Sequence, residues 1–515
     1  MAEASRLADA GLDPVELVQH VDPQALGERV AALVAEGGRF VTLVGLDDRA
    51  IGGEGLAVEA VVQRADGALA RLRAGLDIDE PAYPSISSLV PAAHWDEREA
   101  KDLFGIQPVG HPDPRRLVLH ETWPRGYHPL RKDVPAGVRP PPAERHFVPF
   151  EVHGEGVYQL PVGPIHAGVI EPGHFRFSAI GERVLHLDAR LFFVHRGLEK
   201  IVEGRSFPAA LPVVERACGV CTVTHALAYA EAVERLTATE IPPRAGWVRV
   251  LLAELERLYN HTGDLGNMCA GIGFQTGTAR LGWLKEQLLR VNDGLTGHRY
   301  LTGIVAPGGL VADLDPAALA ELPARLDAIG SELAAAIRSI LRSEGVMARF
   351  HGTGIVSAAS ATSLGALGVT ARATGLPFDL RIDRPYAAYR DLDVGLVSAS
   401  GGDVAARFHV RAQEAHESLR LIRDVLDRLP AGGIQAPLAT TPAAGDVALG
   451  AAEGPRGASW IWLRAGVDGT IDRLRLRSAS FANWPVVAAA VPGNLVPDFP
   501  LINKSFELCY ACTDR

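Results

Sequence analysis

Four of the five cysteines in this 515-residue chain fall into two C-x-x-C pairs: Cys218 and Cys221 in VVERACGVCTVTHALAYAEAV, and Cys509 and Cys512 in SFELCYACTDR. A chain end normally frays, so two oxidisable thiols placed there call for something that binds them. Four thiolates suit a soft metal or a cluster better than oxygen-preferring ions. Structural zinc is the plain alternative, although zinc ribbons hold their pairs ~15 to 20 residues apart and nearly three hundred separate these. No thioredoxin-like context surrounds either pair to favour a redox disulfide. Spacing alone therefore gives a metal site of undetermined type. Cys218 and Cys221 lead into a helical run, which puts both sulfurs on one face near a helix N-terminus, where the dipole favours thiolate. His225, four residues on, shares that face. Cys269 in GNMCAGIG is unpaired and reads as a buried apolar thiol.

The elements that must position these residues divide into an α+β organisation. At 47% apolar and 22% charged residues, the chain is long enough for two to four domains. Residues 1–133 read as a small α/β domain, with a helix in PQALGERVAALVAEG, strands in RFVTLVGL and LAVEAVVQR, and a helix in HWDEREAKDLFGI. In that last helix Trp95, Asp96, Glu97, Arg98, Glu99, Asp102 and Phe104 put charges on one side and large apolar groups on the other, a face for docking on the second domain. Residues 134–146, VPAGVRPPPAERH, form a proline-rich extended linker. Residues 147–515 open on short alternating runs that predict a small sheet. Helical stripes follow in ALAYAEAVERLTAT, RAGWVRVLLAELERLYNHTGDLG, TARLGWLKEQLLRVNDGLTG, LAELPARLDAIGSELAAAIRSILRSEG and AARFHVRAQEAHESLRLIRDVLDRLP. Such stripes must bury against one another, which predicts a helical bundle. After Pro430 the pattern turns irregular and strand-like.

Composition removes several classes of function. The net charge is −10, and no Lys/Arg block is interleaved with aromatics, so no nucleic-acid footprint is present. Five cysteines do not make a disulfide framework, and MAEASRLADAGLDPVELVQHVDP carries no apolar signal core, which predicts a cytoplasmic protein. No apolar stretch reaches the ~18 to 20 uninterrupted residues a spanning helix needs, so membrane contact is expected through partners. The glycines of GDLGNMCAGIGFQTG do not lie in a strand-to-helix dinucleotide arrangement.

The residues also carry a family resemblance. ERACGVCTVTHALA resembles the first cysteine motif of nickel–iron hydrogenase large subunits, Arg-x-Cys-Gly-x-Cys-x-x-x-His, and CYACTDR resembles the second, in the variant that ends in Arg. HWDEREAKDLFGI, GHPDPRRLVL and HPLRKD resemble the 30-kilodalton subunit of respiratory complex I. GPIHAGVIEPGHFRF and FFVHRGLEK resemble its 49-kilodalton subunit and the related hydrogenases. The fusion of both in one chain resembles the large subunits of formate hydrogenlyase and hydrogenase-4, the energy-converting group 4 hydrogenases. Complex I homologues lack the four nickel-binding cysteines.

The resemblance implies a catalyst of H2 ⇌ 2 H+ + 2 e−, with all four cysteines on nickel and iron bearing carbon monoxide and cyanide. By position Cys221 and Cys512 would bridge to iron, and Cys218 and Cys509 would be terminal nickel ligands. Glu171 in EPGHF takes the place of the family's proton-relaying glutamate, with one residue inserted. Arg456 in EGPRGASW resembles the arginine held over the open metal position, and Glu507 stands where the family carries an aspartate beside it, with one more methylene. Arg216 and His225 complete the first motif, His225 as a hydrogen-bond donor beside the thiolates rather than a ligand, since four thiolates already fill the protein's share. Glu199 in HRGLEK sits where related enzymes hold a magnesium or iron ion with a terminal histidine; Arg515 in that histidine's place argues against the second metal.

No spare cysteines remain for an iron–sulfur cluster in this chain. Electrons are therefore expected to leave through another chain, which the resemblance implies is an iron–sulfur small subunit. The resemblance adds a ferredoxin-like subunit, ion-pumping membrane subunits and a formate dehydrogenase, with the chain peripheral on the cytoplasmic side of the membrane. Two competing readings remain: a complex I-like NADH/quinone oxidoreductase C/D-type subunit without a working nickel site, and a structural zinc assembly module. The family's cut three residues past the last cysteine would fall at Arg515, so the terminal pair is expected to be buried.

Overall fold

Near-continuous apolar runs in Arg39–Asp47 and Leu56–Gln63, buried on both faces, build an antiparallel sheet with Leu69–Leu76, joined on its far side by Val15–His20 running parallel to Leu69–Leu76. The computed structural model describes residues 15–53, 55–166 and 170–515. Residues 1–14 of the expected first domain, and 167–169 within GPIHAGVIEPGHF, lie outside the described residues. The helix Leu26–Ala35 packs on this sheet, and His94–Phe104 crosses the strand Arg39–Asp47. Residues 134–146 carry no helix or strand.

A second, three-stranded antiparallel sheet follows, Val157–Val162, His174–Ile180 and Arg183–Arg190. The helices then appear where the apolar stripes place them: Thr222–Leu236, Pro243–Ala270, Gln275–Thr296, Pro316–Leu341 and Val404–Arg428. Pro243–Ala270 is the 28-residue central rod, packed on both Gln275–Thr296 and Val404–Arg428. Beyond Pro430 the strand-like region is a meander of Val447–Gly454, Gly457–Ala465 and Ile471–Arg477. The Pro-interrupted apolar stretch after it folds as helices Ala479–Ala490 and Phe499–Phe506, and Tyr510–Asp514 closes the chain.

The first domain is joined to the second through apolar cores and a buried ionic layer. Val41, Val44 and Leu46 belong to the bundle's core, while Trp95, Leu103 and Phe104 share a core with Phe192, Phe481 and Tyr510. The helix His94–Phe104 docks as its sequence suggests, but its charged side is not solvated. Asp96 pairs with Arg475 and Arg477 at 3.2 and 3.3 Å, and Glu99 with Arg475 at 2.8 Å and Arg515 at 2.5 Å. The arginines of IDRLRLR, which alternation alone would turn to water, are the counter-charges of this layer. Buried ions persist only when paired and hydrogen-bonded. No helix among the described residues is long and apolar enough to cross a membrane.

Candidate metal centre

Two elements bring the cysteine pairs together. Cys218 to Cys221 form a turn that ends on Cys221 as the N-cap of Thr222–Leu236. The helix start is held by Glu256 of the central rod, whose carboxylate accepts from the Val223 and Thr224 amides at 2.7 and 3.0 Å. Tyr259 OH and Asn260 Nδ2 both donate to the Val220 carbonyl at 2.8 Å. The terminal turn is built on Cys509, whose sulfur accepts from the Cys512 amide at 3.2 Å, while Ser480 Oγ accepts from the Cys509 amide at 3.0 Å and Ser478 Oγ donates to the Cys512 carbonyl at 2.9 Å.

The result is a thiol cluster. Cys509 Sγ lies 3.2 Å from Cys218 Sγ, 291 positions away in sequence, and the sulfurs of Cys218, Cys509 and Cys512 all lie within 4.8 Å of one another. Cys221 packs in the same cluster. Cys218 is held well below the ordinary thiol range by hydrogen bonds from neighbouring thiols, and Cys221 and Cys509 are pushed up by sharing hydrogen bonds with it. Burial raises Cys512. A cluster that must keep most of its protons in isolation is one that a soft cation would deprotonate, because bound thiolates are neutralised by the metal. His225 Nε2 and Cys512 Sγ are hydrogen-bonded at 3.3 Å, and the buried Nδ1 has no partner. Burial keeps the ring neutral. The donor set fits a soft metal.

Glu171 comes from the loop before His174–Ile180. Its Oε2 accepts from the Ala511 amide at 2.9 Å and lies 4.0 Å from Cys509 Sγ. Burial raises its pKa.

Arg456 occupies the hairpin tip between Val447–Gly454 and Gly457–Ala465. Gly457, at φ +122°, lets that tip pass Gly368, since a Cβ there would sit 2.7 Å from the Gly368 nitrogen. The guanidinium is fixed on three sides: Nη2 to Asp264 Oδ1 at 3.0 Å, Nη1 to Asn260 Oδ1 at 2.6 Å, and Nε to the Glu507 carbonyl at 2.9 Å. Its carboxylate partner is thus Asp264 rather than Glu507. The Glu507 side chain instead accepts from Asn267 Nδ2, and burial lifts its pKa to about 7. A small cavity beside Arg456 is lined by Cys221 and Cys512, with Thr224, His225 and Ser478–Ser480 around it.

Glu199 lies among cations. It accepts from Arg473 Nη1 at 2.7 Å, Arg515 Nη1 at 3.0 Å and Arg475 Nη1 at 3.3 Å, and from the Leu476 amide at 3.1 Å. These residues do not fit a magnesium or iron ion, because three guanidinium groups already meet the carboxylate. Arg515 is 2% exposed, and its carbonyl accepts from the Arg196 and Gly197 amides at 2.6 and 3.2 Å. The Asp514 carboxylate accepts from the Phe192 and Val194 amides at 2.8 and 3.0 Å. The terminal pair lies against this held segment, with Cys512 buried and Cys509 half-buried.

Arg216 does not enter the site through its side chain, which is exposed; its carbonyl accepts from Arg196 Nη1 at 3.1 Å. Sequence reasoning missed Arg196 itself. Its Nη2 donates to both the Ala217 and Ala511 carbonyls, at 2.8 and 2.9 Å, so one side chain clamps the residues preceding Cys218 and Cys512. Asp264, Asn260 and Glu256 were also missed. Their spacing of four residues along one helix was the available signal.

Comparisons with known proteins agree with this geometry. The sequence matches "Respiratory-chain NADH dehydrogenase, 30 Kd subunit" over residues 19–139, "Nickel-dependent hydrogenase" over 196–263, and "Respiratory-chain NADH dehydrogenase, 49 Kd subunit" over 271–444. It is 36% identical to formate hydrogenlyase subunit 5 of Escherichia coli (strain K12), across 93% of this chain and 85% of that protein. To hydrogenase-4 component G of the same organism it is 35% identical, across 93% and 84%. A chain of the membrane-bound sulfane sulfur reductase, an archaeal respiratory membrane complex, superposes with a TM-score of 0.66 at 25% identity, across 70% of this chain and 99% of that one. With its four clustered cysteines and this breadth of similarity, the chain belongs to the nickel-dependent hydrogenase large subunits of the formate hydrogenlyase and hydrogenase-4 type.

Proposed function

We propose that Cys218, Cys221, Cys509 and Cys512 hold a nickel–iron centre, with Cys221 and Cys512 bridging to an iron that carries carbon monoxide and cyanide. The observation that carries this reading is the 3.2 Å approach of Cys218 and Cys509 sulfurs from opposite parts of the chain. Two features set Cys221 and Cys512 apart for that role: they line the small cavity beside Arg456, and Cys512 Sγ is hydrogen-bonded with His225 Nε2. When bound, the centre supplies the redox chemistry of H2 ⇌ 2 H+ + 2 e−.

The chain's own residues position and move charge around it. Cys509 Sγ exchanges a proton with Glu171 Oε2, 4.0 Å away, and burial brings the carboxyl nearer to working pH. Arg456, fixed by Asp264, Asn260 and the Glu507 carbonyl, presents an immobile cation to the cavity, where preorganised charge needs no rearrangement. Arg196 keeps the two cysteine turns in register. Electrons leave through an iron–sulfur small subunit. On this reading the chain sits at the cytoplasmic face of a membrane complex with ferredoxin-like and ion-pumping subunits and a formate dehydrogenase; the names of the relatives, a subunit, a component and a chain of a membrane complex, support its multi-subunit character.

Replacing Cys221 or Cys512 with alanine in protein matured in its own host should abolish hydrogen–deuterium exchange, whereas Cys269→Ala should leave it intact. Exchange retained in either bridging variant overturns the assignment. The complex I-type matches over 19–139 and 271–444 favour one competing reading, a quinone-reducing scaffold without nickel. Exchange activity separates the two.

A further inference from the structure

A cavity of about 500 Å³ opens between the end of the helix His94–Phe104, the loop 114–128 and the segment 145–148, and none of its lining residues belongs to the metal centre. The chain as a whole carries a net charge of −10, yet this hollow is lined by Lys101, Arg116, Arg125, His128 and Arg145.

Two carboxylates, Asp102 and Glu121, also line the hollow and offset part of the Arg116 charge, but Lys101, Arg115, Arg116, Arg125 and Arg145 outnumber them. Asp102 Oδ2 accepts from the Leu117, Val118 and Leu119 amides at 2.8, 2.8 and 3.1 Å, and Glu121 is paired with Arg190. Arg116 is anchored on neutral acceptors only: Nη1 donates to the His120 and Trp123 carbonyls at 3.2 and 2.8 Å, and Nη2 to the Pro124 carbonyl at 2.9 Å. A guanidinium has five N–H donors, so Nε–H and one Nη2–H are left over on a fixed plane. Lys101 Nζ donates once, to the Pro114 carbonyl at 2.9 Å, leaving two N–H groups. Arg125 and Arg145 make no side-chain hydrogen bond or ion pair with any described residue, and both lie close enough to Arg116 to oppose its charge.

The cations in excess of Asp102 and Glu121 oppose one another round this hollow, and an entering anion would relieve that repulsion. A planar fork held by carbonyls, with mobile arginines and an ammonium around it, matches a phosphate group, whose oxygens take several N–H donors at once. The volume falls within the ~300 to 1,000 Å³ range of small-molecule sites and exceeds what a bare ion needs. We infer that the cavity between Lys101, Arg116, Arg125 and Arg145 binds a phosphate group, carried either by a small soluble ester or by a lipid head group.

The test uses the full chain in its purified complex. Calorimetry with pyrophosphate, against sodium chloride at matched ionic strength, should show saturable binding, and Arg125→Ala with Arg145→Ala should weaken it by at least ~10-fold. Neither side chain has a partner to lose, so the double variant should fold; its hydrogen–deuterium exchange should equal that of the wild type. Arg290→Ala, which removes an exposed charge from the helix Gln275–Thr296, should leave binding unchanged. Flotation with phosphatidylglycerol vesicles, against phosphatidylcholine, distinguishes the sources. Lipid binding lost in the double variant assigns the head group, and pyrophosphate binding without flotation assigns a soluble phosphate. No binding above the chloride control, or equal loss in Arg290→Ala and the double variant, overturns the site, as does a partner subunit's acidic segment already filling the cavity.

Discussion

The Arg515 guanidinium rests on the Glu199 carboxylate, Nη1 to Oε1 at 3.0 Å, and its Nη2 reaches Glu99 of the first domain at 2.5 Å. A protein cation thereby meets the carboxylate at which the family resemblance places a divalent ion, and it ties the cysteine-bearing terminus to the neighbouring domain. Arg515→Ala leaves Glu99 and Glu199 with one cation fewer in a buried layer, a loss on the order of 3 kcal/mol. We predict a lower melting temperature and lower hydrogen oxidation, with no recovery on adding magnesium. For the wild type, incubation with EDTA should leave turnover unchanged; loss on chelation with recovery by magnesium would restore the second metal.

Glu171→Gln keeps the acceptor for the Ala511 amide but cannot relay a proton. Turnover should fall by ~100-fold or more while nickel and iron contents stay normal. Undiminished turnover assigns the relay to another group.

Arg456→Lys replaces a planar fork that meets three partners with a single ammonium. Hydrogen turnover should drop at least ~10-fold with metals retained. Asp264→Asn should show the same direction, because the carboxylate that holds the guanidinium is that of Asp264 and not that of Glu507, and equal activity in Asp264→Asn and wild type would contradict that assignment.

The cysteine motifs and the helical stripes were legible because each is local: spacing and periodicity carry them. Arg456 was legible as a motif, but its partner was not, since Asp264 lies 192 positions away and only the packing of the hairpin on the central rod brings them together. The same holds for Arg196, whose contacts are to backbone carbonyls that any sequence would supply. IDRLRLR misleads for a physical reason: alternating arginines imply water on one face, whereas Asp96, Glu99 and Glu199 arrive from other segments to bury them.

His94, at the start of the docking helix, packs against His111 with ring centroids 4.8 Å apart and tilted planes, and burial together with the nearby Arg98 lowers its pKa to about 3. The unfolded chain binds a proton near 6.5, so the stability this neutral ring allows is present above pH 6.5 and is lost as pH falls toward the folded value. Between pH 6.5 and 5 the loss is about 2 kcal/mol. His94→Gln should flatten that part of the pH–stability curve measured by urea unfolding, and an unchanged slope would assign the acid sensitivity to other groups.

The central claim is that the four cysteines carry a nickel–iron centre, and metal analysis combined with infrared spectroscopy of protein matured in its own host tests it most directly. The account predicts nickel and iron in equal amounts, with carbon monoxide and cyanide stretching bands that disappear in Cys512→Ala. Zinc alone, or no metal and no such bands in fully matured protein, would contradict it.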